Sequence, residues 1–337
     1  MTERPRLRDV AALAGVSPTT ASHAFSGHRP VSPATKAAVL KAAFDLGFVM
    51  EHGAGQRTVG LLLRPPEAIP GFASGSDAFT SVAGAVLVSL LGAGFSVSSF
   101  LTLDDIGAQI GRLDAFVLLH PRRGDEVLRA LIQRGIPTVT LDRDPDDEEF
   151  PWWISADHVA NARTLLDHLR ERGARRPALI VGSTQNTYLE SIAGVYVQEM
   201  RARGLPVLVR ELEPVRGQQG GAAAAASLLR TPTPPDAFLT SSDVFAVGAI
   251  EAARAQGLGV PEDVLVANMM DSVIAERAAV PITAMKANLQ IWASQLTRLL
   301  ERRLSSAAPL ASHLRLEFDL VERASTARPG PRTEPAS

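Results

Sequence analysis

The chain contains no cysteine. That absence excludes a disulfide framework, a thiolate metal site and a cysteine nucleophile, and it fits a reducing cytoplasm. Aromatic residues make up only 5% of the sequence, with two tyrosines and three tryptophans, so a ring-stacking site has few positions to draw on. The seven histidines are scattered, and none pairs with another at i, i+4 or with a nearby carboxylate at metal-ligand spacing. The acidic run Asp144-Pro-Asp-Asp-Glu-Glu149 lacks the glycine and spacing of a calcium loop and reads as a solvated loop. No P-loop, G-x-G-x-x-G or G-x-S-x-G motif occurs. These gaps argue against an enzyme and imply neither cofactor nor metal.

No signal peptide is read at the polar N-terminus. One stretch, Ala78 to Leu103, has no charged residue and is long enough to span a bilayer. Glycines at 84, 92 and 94 and many serines interrupt it. The better reading is a helix over about Phe79–Leu91, a glycine break, and a buried strand over Phe95–Leu101.

At 337 residues and 46% hydrophobic content, the chain suits a small module plus one bilobal core. Charge is distributed unevenly. Residues 1–50 carry six basic against three acidic side chains, a balance of +3, which leaves −5 of the total −2 for the rest. A basic module on an acidic body suits a nucleic-acid reader.

Three short helices are legible in that module. The first covers Leu7–Leu13, with Val10, Leu13 and Val16 facing inward and Gly15 at the turn. The second opens on Ser17 as N-cap and Pro18 at the first helical position, and it stops near Gly27. The third repeats that signal with Ser32 and Pro33 and buries Ala37, Val39, Leu40, Ala43, Phe44 and Leu46. Two helices joined by a tight glycine turn fit a major groove, although helix pattern alone also allows an ordinary three-helix bundle.

The residues go further than the pattern. Leu7-Arg-Asp-Val-Ala-Ala-Leu-Ala-Gly-Val-Ser17, Thr20-Ala-Ser22-His23, Val31-Ser-Pro-Ala-Thr35 and Ala43-Phe-Asp-Leu-Gly-Phe48 resemble the headpiece of the LacI (lactose repressor)/GalR family of transcriptional regulators. The resemblance implies DNA-binding roles at Ser17, Pro18, Thr19, Thr20, Ser22, His23, Arg29, Thr35 and Arg57. Pro18 and Thr19 stand where the family reads base edges; Thr20 and Ser22 stand where hydroxyls hold phosphates. His23 replaces an arginine that often contacts guanine, so the bidentate fork is lost and weaker or different base specificity is expected.

The connection Val49-Met-Glu-His-Gly-Ala-Gly-Gln-Arg-Thr58 departs from the family. It lacks the Ala-Arg-x-Leu of the usual hinge helix, whose leucine wedges into the minor groove. Gly53 and Gly55 each disfavour a helix by roughly 1 kcal/mol. The hinge helix is therefore expected to be missing or altered and operator bending small.

From Val59 apolar strands alternate with helical segments at α/β spacing. Expected elements include strands at 115–119, 138–141, 178–181, 207–209, 237–239 and 264–267, and helices at 106–113, 126–134, 192–203, 221–229 and 244–256. Ile136-Pro-Thr-Val-Thr-Leu-Asp142-Arg143, Pro235-Asp-Ala-Phe-Leu-Thr-Ser-Ser-Asp243 and Leu320-Val-Glu-Arg-Ala-Ser-Thr326 extend the family resemblance to the end of the core.

The fold class expected is a small all-α helix-turn-helix headpiece plus an α/β bilobal periplasmic-binding-protein-like core of two parallel doubly wound sheets. Boundaries are 1–50 for the headpiece, 51–58 for a shortened linker and 59–326 for the effector-binding and dimerisation core. Within the core, the first lobe takes about 59–156 plus 286–312 and the second about 157–285 plus 313–326. Residues 327–337 read as a disordered tail.

Such folds bind small molecules at the carboxyl ends of their strands, between the lobes. The positions that the resemblance assigns to the effector have drifted: Ser191 replaces an arginine, Ser242 an asparagine and Met270 an aspartate. Trp153, Asp243 and Asp271 complete the candidate set. Trp152 and Trp153 offer either a stacking platform or packing at the lobe junction, and Asp243 reads as an N-cap for the helix from Val244. Asp142 is expected to hold a strand end.

The implied function is a cytoplasmic, nucleoid-associated transcriptional regulator, a repressor by resemblance, that binds a pseudo-palindromic operator as a homodimer. A small-molecule effector, sugar-like or otherwise, is its expected second partner, and a membrane is not. The alternative is a small-molecule sensor with weak or no operator specificity.

Overall fold

The computed structural model describes residues 6–26, 29, 31–46, 57–62, 77–100, 103–107, 110–305, 315–316 and 318–327. The linker glycines and residues 328–337 lie outside them, and with them the hinge-helix and tail expectations.

The headpiece consists of α1 (Leu7–Leu13), α2 (Pro18–Ser26) and α3 (Pro33–Leu46). Val10, Ala11, Ala21, Ala24, Val39, Ala42 and Ala43 form its buried cluster. Gly15 takes φ +67, the left-handed turn that a side chain would resist. Three expected core positions are exposed instead. Leu13 is the last residue of α1, just before the chain turns away, and Leu46 ends α3; they are 56% and 37% exposed. Ala37 is exposed because it sits two residues before Val39, on the opposite face of α3.

The first lobe is built from β1 (Thr58–Leu62), α4 (Asp77–Gly92), β2 (Ser96–Phe100), α5 (Leu103–Gly107), β3 (Ala115–Leu119), α6 (Glu126–Gln133), β4 (Thr138–Leu141) and β5 (Trp153–Ala156). The uncharged stretch thus folds as α4 and β2, and no helix among the described residues is long and apolar enough to cross a membrane. The single helix expected over 106–113 is instead α5 and a 3-10 turn at Ile110–Arg112, since Gly107 and Gly111 weaken a continuous helix.

The second lobe runs through α7 (His158–Glu171), β6 (Pro177–Gly182), α8 (Thr187–Ala202), β7 (Val209–Leu212), α9 (Gly217–Leu229), β8 (Ala237–Thr240), α10 (Asp243–Ala255), β9 (Leu265–Asn268), α11 (Val273–Arg277) and β10 (Thr283–Ala287). The chain then returns as α12 (Leu289–Leu304), which packs Trp292, Leu296, Leu299 and Leu300 into the first lobe's core. Strand β11 (Arg315–Leu316) pairs with β5, and β12 (Phe318–Val321) pairs with β10. Segment 313–326 is therefore shared between the lobes rather than confined to the second, because β11 extends the first sheet.

Each sheet has six strands, in the orders β11-β5-β4-β3-β1-β2 and β12-β10-β9-β8-β6-β7. All pairings are parallel except β10 with β12. Parallel sheets need both faces covered, which explains the fully buried β3 with its Ala-Phe-Val-Leu-Leu run. Helices α9 and α10 meet at Gly221 and Gly248: a Cβ on Gly248 would lie 2.3 Å from the Gln218 carbonyl oxygen. The alanine run 222–226 serves that close approach, with Ala224 and Ala225 buried.

Candidate functional site

Helices α2 and α3 of the headpiece begin on side-chain caps. Ser17 Oγ accepts the Thr20 N–H at 3.0 Å and lies 2.8 Å from the Thr20 hydroxyl. Ser32 repeats the arrangement with Thr35 at 3.1 and 2.8 Å. Of the hydroxyls expected at phosphates, Thr20's is thus tied to the start of α2. Pro18, Thr19 and Arg29 are exposed and Ser22 and His23 half-buried, so α2 presents its first turn outward. His23 Nδ1 is buried with no hydrogen-bond partner among the described residues. Arg57 is exposed at the head of β1, its carbonyl accepting the Ser96 N–H at 3.0 Å.

The carboxyl ends of the strands carry the polar groups of the core. In the first lobe β3 ends at His120 and β4 at Asp142, with φ +51 and +74. Non-glycine residues in that left-handed region are uncommon and cluster at functional sites. Asp142 Oδ2 bonds His120 Nδ1 at 2.7 Å, while Oδ1 bonds His158 Nε2 at 2.7 Å and accepts from Ser155 Oγ at 2.6 Å. Burial pushes this carboxyl up, but the charge of His158 and the bonds from both histidines outweigh it and hold the group well below the usual carboxylate range. Asp142 thus joins β3, β4 and the start of α7, a wider role than ending one strand. The histidines lie 22 and 16 residues from it in sequence, and only the lateral pairing of strands unites them.

Facing this cluster is Tyr188, in the first turn of α8. Its ring packs edge-on against His158 at 5.0 Å and lies 6.4 Å from His120. Its hydroxyl donates to the Ser241 carbonyl at 3.0 Å. Burial, then the charges of Asp142 and Asp243, push the phenol upward, so it stays protonated. Phe79, at the start of α4, stands 6.1 Å from His120. Sequence reasoning missed His120, His158, Tyr188 and Phe79. A signal existed for one of them: a polar residue directly follows the apolar run of β3, where parallel sheets bind ligands.

The second lobe places Ser242 at the N-cap position of α10 and Asp243 inside its first turn. Asp243 is therefore not the cap that was expected. Its Oδ1 accepts the Val244 N–H at 2.9 Å and faces the Ser242 hydroxyl at 3.3 Å. Its Oδ2 is buried with no hydrogen-bond partner among the described residues. Asp271 is committed elsewhere: Arg323 grips both oxygens, at 2.7 and 2.9 Å. Met270 packs against the core of the first lobe, and Ser191 lies half-buried on α8. Trp153 is buried in β5 beneath the Arg143 guanidinium, 5.7 Å from the ring centre, and Trp152 packs beneath Arg303 at 4.8 Å. Both indoles belong to the first lobe's core, so neither offers an open stacking face.

Comparison with known proteins decides the family. Residues 6–50 match the family of bacterial regulatory proteins of the lacI type, and residues 166–326 match a periplasmic binding protein-like domain. The HTH-type transcriptional regulator CelR of Thermobifida fusca is 31% identical over 343 residues, covering 96% of this chain and 98% of its own. The chain belongs to the LacI family. It is a helix-turn-helix, DNA-binding transcriptional regulator, and the family consists of regulators rather than enzymes. Among solved structures, a CelR–cellobiose complex matches with TM-score 0.70 and 30% identity, over 96% of this chain and all of that one. The lac repressor dimer bound to operator and an anti-inducer matches with TM-score 0.73 and 20% identity, over 96% of this chain and 99% of that one, a likeness of fold. In this LacI-family regulator, the headpiece and the crevice-facing strand ends are the two sites whose chemistry remains to be assigned.

Proposed function

We propose that this regulator represses transcription by binding a pseudo-palindromic operator as a homodimer, under the control of a neutral small molecule held between its lobes. The observation that carries the DNA half is the headpiece: Ser17 and Ser32 fix two helix starts, and Pro18 and Thr19 stand exposed in the first turn of α2 with His23 half-buried behind them. One headpiece spans one half-site, so two copies are required. The outer face of α4 supports pairing through the core, since Leu87, Val88 and Leu91 are exposed there. Arg57 joins the DNA contacts as a phosphate ligand. A regulator of this kind works in the cytoplasm, on the nucleoid.

For the effector, the positions at Ser191, Ser242 and Met270 are neutral, the Asp142 carboxylate is hydrogen-bonded at both oxygens, and Oδ2 of Asp243 has no partner among the described residues. A lone buried acceptor attracts a hydroxyl or amine donor and repels an anion. A polyhydroxylated neutral compound fits, as cellobiose does in the structure of CelR. Asp271, tied to Arg323, serves the fold rather than the ligand.

One observation favours weak operator specificity: the readers Pro18, Thr19 and His23 lack a bidentate fork. Footprinting on genomic fragments selected by the full chain tests both readings. Protection of two half-sites about one helical turn apart supports the proposal. Failure to protect any palindromic site at low salt overturns it.

A further inference from the structure

The two lobes are fastened to each other directly along one rim, by groups that neither the Asp142 cluster nor Asp243 uses. Arg123, in the loop after β3, makes two parallel bonds to Glu190 in the first turn of α8: Nε to Oε1 at 2.7 Å and Nη2 to Oε2 at 2.8 Å. The Arg123 backbone N–H donates to the Gln185 carbonyl at 2.7 Å, and Arg122 and Asn186 form an antiparallel bridge. A second loop, after β4, joins in. Thr187 Oγ1 donates to the Arg143 carbonyl at 3.0 Å, and Arg123 Nη1 donates to the Pro145 carbonyl at 3.2 Å. Asp146 accepts the Gly124 N–H at 2.6 Å and stands 3.5 Å from Arg123. Arg123 therefore binds two loops of the first lobe to the start of α8 in the second.

We propose that this clasp is a latch, with the Arg123–Glu190 pair setting how readily the lobes part. A guanidinium fork on a carboxylate holds only in one relative orientation, so a rigid-body rotation of either lobe breaks both bonds together. The flanking backbone contacts supply the register, and the exposed ion pair supplies a reversible bias. Exposed pairs are weak, which suits a switch that must open as well as close. The latch is made of protein groups alone, so it acts on the lobes whichever ligand or operator the regulator recognises.

The absence of cysteine allows the test in the full-length protein. Gln133→Cys on α6 and Arg201→Cys on α8 place two spin labels on exposed positions in opposite lobes. Distance distributions are then recorded in four backgrounds: the parent, Arg123→Ala, Glu190→Ala and the double variant. Each single variant is expected to shift the closed-to-open ratio roughly two- to fivefold toward open, with the double variant shifting no further than either single. High salt should open the parent and leave the double variant unmoved. The proposal is overturned if the single variants keep the parent's distribution or if their effects add. Neither result depends on operator or effector binding, so it stands apart from the outcome of the footprinting.

Discussion

Two buried carboxylates stand at the carboxyl ends of the two sheets, and their surroundings differ. Asp142, just after β4 in the first lobe, is hydrogen-bonded at both oxygens by His120, His158 and Ser155. Asp243, following β8 in the second, spends one oxygen on its own helix and leaves the other without a hydrogen-bond partner among the described residues. A buried charge hydrogen-bonded at both oxygens suits a structural joint, whereas an unpartnered buried oxygen is a cost to the fold that function can explain. Under the proposed function, the first lobe's cluster belongs to architecture and the second lobe's carboxylate to recognition.

The largest expected effect breaks the joint. Asp142→Ala leaves two imidazoles and a hydroxyl facing an emptied site, and about 3–5 kcal/mol of stability should be lost in urea unfolding. A loss under about 1 kcal/mol would place Asp142 with the ligand instead. Next comes Asp243→Asn, which keeps the acceptor for the Val244 N–H while removing the buried charge. Stability should hold or rise, and effector affinity, read by titration calorimetry, should fall roughly ten- to hundredfold, the worth of a hydrogen bond to a charged group.

pH separates the lobes more gently. The Asp142 carboxyl is held low, so its contribution is present above the unfolded value of about 3.9 and is lost only as pH falls through the lower folded value. His168, in α7 of the second lobe, bonds Thr326 Oγ1 at 2.8 Å. Burial, ahead of the opposing pull of Glu322, holds its imidazole low. That contribution is complete above about pH 6.5 and fades as pH falls through the folded value. Hydrogen exchange at pH 5 should therefore show α7 loosening around His168 before the strand ends at His120 and Asp142. The smallest effect concerns the linker: gel phasing should show little operator bending, and a strong central kink would contradict the glycine reading of residues 49–58.

Sequence legibility followed local chemistry. The Ser-Pro starts of α2 and α3, the uninterrupted apolar run of β3 and the β-branched Thr-Val-Thr-Leu of β4 appear where expected, since each boundary is encoded within a few residues. Elements set by tertiary context shifted. Edge strand β7 lies at Val209–Leu212 rather than 207–209; among the described residues it pairs with β6 alone, in register Leu179 to Val209, and its charged Arg210 and Glu211 hide it from an apolar-run reading. Helix α8 starts at Thr187, five residues early, since Asn186 caps it by accepting the Leu189 N–H at 2.9 Å. The late elements β10, α12, β11 and β12 are short or amphipathic, and the chain recrosses between lobes there. The Asp142 joint had no sequence signature at all: His120, Ser155 and His158 converge on it only because β3, β4 and β5 are neighbours.

The most direct test of the recognition assignment is a thermal-shift panel of neutral saccharides, nucleosides, sugar phosphates and sugar acids, run on the parent protein and on Asp243→Asn. A neutral polyhydroxylated compound should raise the parent's Tm and raise the variant's distinctly less at the same concentration. Stabilisation by anionic compounds alone, an undiminished shift in Asp243→Asn, or no shift with any neutral compound would contradict the account.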